Sequence, residues 1–169
     1  MRILALDLSL TASGCCGPSG EIRLIKPKTR GAERLAQIVD EIHDQALGVD
    51  LVLLEDYSYG SKGSAIFQIG ELGGCVRLEL HRLGLPWTAV PPSCLKIYAT
   101  GSGTSNKIKM ATAAATRAGL EFPDDNACDA WWLWQMGLAR YDIGHPALVT
   151  MPKAHLRGLE GVTWAPAPK

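Results

Sequence analysis

The chain is 169 residues long, with 17 Lys and Arg against 17 Asp and Glu, a formal net charge of zero. That length suits one domain with a substantial core and is too short for architectures that need two such domains. Balanced charge removes net charge as an argument for a polyanionic partner, and no apolar run approaches the ~20 residues of a membrane span. The apolar start from Met1 to Leu6 is shorter than a signal-peptide core, so the protein is expected to be soluble and cytoplasmic. Its cysteines, Cys15, Cys16, Cys75, Cys94 and Cys128, are odd in number and lack CxxC spacing. They sit among apolar or small neighbours, as free thiols of a reducing compartment do.

In chain order, residues 2–9 read as a buried strand that reaches Asp7, with Ser9, Thr11 and Ser13 behind it. Residues 11–17 form a second, small-residue strand. The Gly17-Pro18-Ser19-Gly20 turn leads to a third at residues 21–25, giving a meander. Leu35, Ile38, Val39 and Ile42 recur at helical spacing across residues 31–47. Residues 50–55 return to strand and end on Glu55 and Asp56. Residues 57–64 are too polar and glycine-rich to be regular. From residue 65 to 83, Ile66, Ile69, Leu72, Val76, Leu80 and Leu83 predict a long amphipathic helix. Its Gly70, Gly73 and Gly74 cost roughly 1 kcal/mol each relative to Ala in an isolated helix. They suit close approach of another helix, either in a dimer or inside the fold, and Phe67 is expected in the core.

A short strand at residues 86–90 is closed by Pro91-Pro92. A short helix over 93–98 follows, then a Gly/Ser/Thr loop over 100–105, a helix over 106–118 and another over 126–140. Trp131, Trp132 and Trp134 share this last helix with Leu133 and Met136 and read as core. Beyond Gly144, prolines and the loss of periodicity predict a loosely ordered tail over residues 145–169.

Charge is unevenly placed. No Asp or Glu lies between Pro86 and Leu120, where Lys96, Lys107, Lys109 and Arg117 fall; acids gather at Glu55, Asp56, Glu121, Asp124, Asp125 and Asp129. Carboxylates delivered by separate rigid elements suit oxygen ligation of hard divalent cations. Asp7 and Glu55 become neighbours if their strands pair, and Asn126 and Asp129 lie one helical turn apart. Two ions ~3.5–4 Å apart in such a site are suited to phosphodiester chemistry. Taken singly, an acid at a strand end is also a turn former, Asn126 also fits an N-cap, and Asp124 and Asp125 suit a helix start.

With Leu4-Ala5-Leu6-Asp7, Leu53-Leu54-Glu55, Gln68-Ile69-Gly70-Glu71-Leu72-Gly73-Gly74 and Asn126-Ala127-Cys128-Asp129-Ala130, residues 3–140 resemble a RuvC-type Holliday-junction resolvase. That family is a branch of the RNase H-like nucleases, here in a small phage-like version. The resemblance implies an α/β fold with a mixed five-stranded sheet flanked by helices over residues 1–144. It implies a homodimer that acts on branched DNA, a four-way junction. It further implies two Mg²⁺ or Mn²⁺ ions per site, and paired symmetric nicks leaving 5′-phosphate and 3′-hydroxyl ends. Asp7, Glu55 and Asp129 are then metal-binding catalytic acids. Asn126 stands where family members carry Asp or His, and an amide ligates only through its neutral oxygen. Lys96 and Lys107 match the family's two functional lysines; Lys109 and Lys62 are secondary DNA contacts. Tyr57 and Tyr59 flank the position of the family's aromatic wedge, itself Ser58. If a phage encodes the chain, its place is the host cytoplasm.

Other readings stay open on sequence. A less selective nuclease of the same fold would cut flaps, forks or RNA–DNA hybrids, and an inert junction-binding module would bind without cutting. An actin-like nucleotide-binding protein needs a second domain and glycine-rich phosphate loops.

Overall fold

The computed structural model describes residues 1–57 and 65–167, save the side chains of residues 65 and 66. Five strands, β1 (Ile3–Asp7), β2 (Ser13–Cys16), β3 (Ile22–Ile25), β4 (Leu51–Glu55) and β5 (Trp87–Val90), form one sheet in the order β3-β2-β1-β4-β5. The β1-β2-β3 meander is antiparallel, while β4 pairs parallel with both β1 and β5. This is the mixed five-stranded sheet expected from the sequence.

Both faces of the sheet are covered, which is why β1 and β4 are continuous apolar runs without alternation. Side chains still alternate between faces. Leu4, Leu6, Val52 and Leu54 pack with Ile38 and Ile42 of α1 (Gly31–Ala46) and Leu72, Val76 and Leu80 of α2 (Ala65–Arg82). Ile3, Ala5, Leu51 and Leu53 pack on the other face, under Trp132, Trp134 and Met136 of α5 (Asp125–Arg140). The same core includes Leu95 and Tyr98 of α3 (Pro92–Thr100) and Met110 of α4 (Lys107–Ala118). All three tryptophans of α5 are buried, as their helical company predicts.

Helix α5 lies unusually close to the sheet because two glycines leave room for it. A Cβ on Gly14 of β2 would overlap the Asn126 carbonyl group. One on Gly137 would sit 2.7 Å from Leu53 Cδ1 and 2.8 Å from Ile3 Cδ1. The first obstacle is backbone and the second is the far end of flexible side chains.

Two expectations are corrected. Phe67 is 75% exposed, not core: residues 69, 72, 76 and 80 of α2 face the sheet, and Phe67 falls on the opposite stripe. The segment over residues 145–167 is packed rather than loose. The fully buried Gln135 ties it down, donating from Nε2 to the Ala147 carbonyl (2.9 Å) and accepting at Oε1 from the Val149 amide (2.9 Å). Tyr141 Oη donates to the Ala165 carbonyl (2.7 Å), and the Ala165 amide to Thr88 Oγ1 (3.0 Å). A short helix, α6 (Arg157–Glu160), sits against α3 with Gly158 and Val162 buried. Side-chain tethers to irregular backbone leave no periodic trace in a sequence. No helix of the described residues is long and apolar enough to cross a membrane.

Gly14→Ala should destabilise the fold more than Gly137→Ala, with overpacking of ~1–3 kcal/mol as the scale, because only the first must move backbone. Urea denaturation of the two variants checks the ranking, and equal losses would contradict the backbone clash.

Candidate active site

Parallel pairing of β1 with β4 is in register Leu6↔Leu54, so the next residues, Asp7 and Glu55, end neighbouring strands side by side. Strand parity gives both the face that Ile3, Ala5, Leu51 and Leu53 share, the face under α5. Helix α5 starts with Asp124, whose Oδ1 accepts from the Ala127 amide at 2.9 Å. Asp124, not Asn126, is therefore the N-cap. One turn into the helix, Asp129 points at the two strand ends. Ligand oxygens of Asp7, Glu55 and Asp129 all lie within 4.8 Å of one another.

Asn126 occupies the same helix face but is partly committed elsewhere. Its Nδ2 donates to the Ala12 carbonyl at 2.6 Å, which ties α5 to the turn between β1 and β2. Ser9 and Ser13 brace that turn: the Ser9 amide donates to Ser13 Oγ (3.0 Å) and Ser13 Oγ to the Ser9 carbonyl (2.7 Å). Only the amide oxygen of Asn126 is left for a ligand.

These groups line a cleft of about 440 Å³. Lys96 of α3 and Lys107 at the start of α4 line the same cleft. Lys107 is ion-paired with Asp125, and each holds the other in its charged form, the lysine pKa raised and the carboxyl pKa lowered. The end of α4 is fixed by Asn106, whose side chain accepts from the Lys109 amide (3.0 Å), and by the buried Ser105, bonded to Thr100 Oγ1 at 2.7 Å. The positive end of the α4 dipole thus faces the cleft beside Lys107.

Tyr57 forms part of the wall. Its hydroxyl donates to the Gly70 carbonyl (3.3 Å), Gly73 makes room for its ring, and the Arg77 guanidinium lies 4.7 Å from the ring centre. Arg77 also pairs with Asp56 at 3.1 Å. Tyr57 is therefore seated under α2, facing the cleft. Lys109 lies outside the acidic cleft, in an adjoining groove. Tyr59 and Lys62 fall outside the described residues. Sequence reasoning missed Arg77, one of two arginines in an amphipathic helix, and the Lys107–Asp125 pair, for which sequence distance gives no cue.

The acids are in electrostatic conflict. Burial, then the charges of Glu55 and Asp129, push the Asp7 carboxyl well above its ordinary range. Burial raises Glu55 as well, against the lowering effects of the proton shared from Asp7 and of Lys96. Asp129 is pushed up to about 7 by burial first, then by Glu55 and Asp125, with Lys96 and Lys107 opposing. Its Oδ1 is buried with no hydrogen-bond partner. An orphaned buried carboxylate oxygen beside two more carboxylates fits a divalent cation: it supplies the missing partner and removes the repulsion. Asp7, Glu55 and Asp129 would hold it, with Asn126 lining the same cleft.

The pH dependence follows in sign. An unfolded Asp releases its proton near pH 4, whereas folded Asp129 keeps it to about 7. The folded state binds more protons in that window, so stability of the metal-free protein falls as pH rises through it, by on the order of a few kcal/mol. In EDTA, Asp129→Asn should therefore be more stable than wild type at pH 8 and close to it at pH 5. Melting curves at the two pH values check this, and a variant less stable at pH 8 would contradict it.

No family model and no curated protein matches the chain. Solved structures do. RuvC of Thermus thermophilus aligns with TM-score 0.65 and 18% identity, covering 90% of this chain and 100% of that one. The same organism's RuvC in complex with a Holliday junction substrate gives TM-score 0.66 and 18% identity over 90% and 99% of the two chains. The yeast mitochondrial Holliday junction resolvase gives 0.52 and 14%, over 83% and 81%. The fold of this chain is that of RuvC, the RNase H-like α/β arrangement that the resemblance in its sequence implies.

Proposed function

We propose that the chain is a metal-dependent endodeoxyribonuclease that resolves four-way DNA junctions. The observation that carries this reading is the trio Asp7, Glu55 and Asp129, whose ligand oxygens lie within 4.8 Å of one another in a cleft that Lys96 and Lys107 also line. The fold it shares with RuvC, one solved example of which holds a junction substrate, supports the choice of branched DNA.

In this reading Asp7, Glu55 and Asp129 hold two Mg²⁺ or Mn²⁺ ions, and Asn126 contributes its amide oxygen while its nitrogen keeps the β1–β2 turn in place. The chemistry such ions supply when bound is activation of a water and stabilisation of the leaving oxygen. Lys96 grips the scissile phosphate and offsets charge that develops on it. Lys107 does the same after exchanging Asp125 for phosphate, aided by the α4 dipole. Departure of the 3′-oxygen leaves 5′-phosphate and 3′-hydroxyl ends. Tyr57, half-buried with its ring held by Arg77, lines the cleft where an unpaired base would stack, at ~1–3 kcal/mol per base.

Symmetric nicks need two sites, hence a homodimer. The outer stripe of α2 supports one: Phe67 and Leu78 are 75% and 50% exposed, and Gly70 and Gly74 between them have open space above their backbone. An apolar stripe with small residues at its centre suits close packing against a second copy.

Asp7→Asn should reduce cleavage of a labelled four-way junction by roughly 10³-fold or more while junction binding persists, because phosphate contact rests on the lysines. Undiminished cutting would refute the site. Wild type should cut the four-way junction faster than a linear duplex of matched sequence with Mg²⁺ or Mn²⁺. Equal rates would instead support a less selective nuclease, and tight binding without cleavage in either ion an inert junction-binding module.

A further inference from the structure

Beside the acidic cleft, a second groove of about 510 Å³ runs along α4. Ser105 lines both, so the two adjoin at that residue. The groove wall comprises Thr100, Ser102, Lys109, Thr112, Thr116 and Arg117, with two alanines and Ser105, and no carboxylate. Lys109 and Arg117 are exposed and form no ion pair among the described residues, unlike Lys107, which Asp125 engages. Two cations that form no ion pair among the described residues, in a hydroxyl-rich groove without a carboxylate beside the acidic cleft, are complementary to a chain of phosphodiesters.

We infer that this groove is a second DNA-backbone subsite, which holds the phosphates flanking the scissile one as the strand leaves the cleft. The inference rests on the nuclease reading and extends it. Lys109 and Arg117 are eight residues apart on one face of α4, about 12 Å along its axis. At ~3.4 Å per nucleotide of a strand in duplex DNA, that spacing brackets roughly three to four nucleotides. Thr116, between the cations, places a hydroxyl within the same track. Contacts of this kind carry no base sequence; they set where along the strand the scissile phosphate sits.

The experiment measures binding of a fluorescently labelled four-way junction in EDTA, as Kd against KCl concentration. Compared are wild type, Lys109→Ala/Arg117→Ala, and a control pair, Lys28→Ala/Arg30→Ala, whose exposed cations precede α1 on the opposite face of the sheet. Each phosphate contact contributes ~0.9 to the log–log salt slope. The α4 double variant should therefore lose about two from the slope and bind roughly tenfold or more weakly at the lowest salt, with the control unchanged and all three melting alike. An unchanged slope in the α4 variant overturns the subsite while leaving junction binding by wild type, and so the nuclease reading, intact. An equal loss in both variants also overturns it, because general charge would then explain the effect. Wild type that fails to bind the junction at all overturns the nuclease reading and the subsite with it, and that result is visible before any variant is made.

Discussion

The site depends on one constraint: the in-register parallel pairing of β1 with β4. Leu6 opposite Leu54 puts Asp7 next to Glu55 and gives both the same face of the sheet. A slip of one residue would send every side chain of β4 to the other face, Glu55 to the α2 side and Leu54 into the cleft. The apolar contents of the two layers prevent the slip. Leu51 and Leu53 are fully buried under α5, while Val52 and Leu54 are buried against α1 and α2. Packing of residues that do no chemistry thereby sets the position of those that could.

The same packing holds the acids where they are least comfortable. Asp7 is only 7% exposed, and Asp129 has a buried oxygen with no partner. A fold selected for stability alone would leave neither. Lys96 and Lys107 line the same cleft and moderate the acids, with no ion pair to them among the described residues; Lys107 pairs with Asp125 instead. Repulsion among Asp7, Glu55 and Asp129 is thus left unresolved within the protein, and the hydrophobic contacts of two full layers carry the cost.

The sheet and the acidic trio were legible because each rests on a local signal. Apolar runs that stop on a carboxylate marked β1 and β4, Gly17-Pro18-Ser19-Gly20 marked the meander, and helical spacing marked α1 and α2. Where structure depends on a single side chain reaching distant backbone, the sequence is mute. Gln135 and Tyr141 order the C-terminal segment, and Asn126 holds the β1–β2 turn across 114 residues. Phe67 was misplaced for a different reason: aromatic identity suggests burial, but its position on the helix decides, and position 67 faces outward. Arg77, seated on Tyr57 and paired with Asp56, is visible only once α2 is laid beside the end of β4.

The touch between Gly14 and the Asn126 carbonyl has a consequence for how far this architecture can drift. The height of α5 above the sheet equals the thickness of a strand with no side chain, so the depth of the acidic floor is set by a carbon atom that is missing. Any residue larger than glycine at position 14 would act as a shim under the first turn of α5. Asn126 and Asp129 would ride up with that turn, and the gap to Asp7 and Glu55 would widen with no acidic residue having changed.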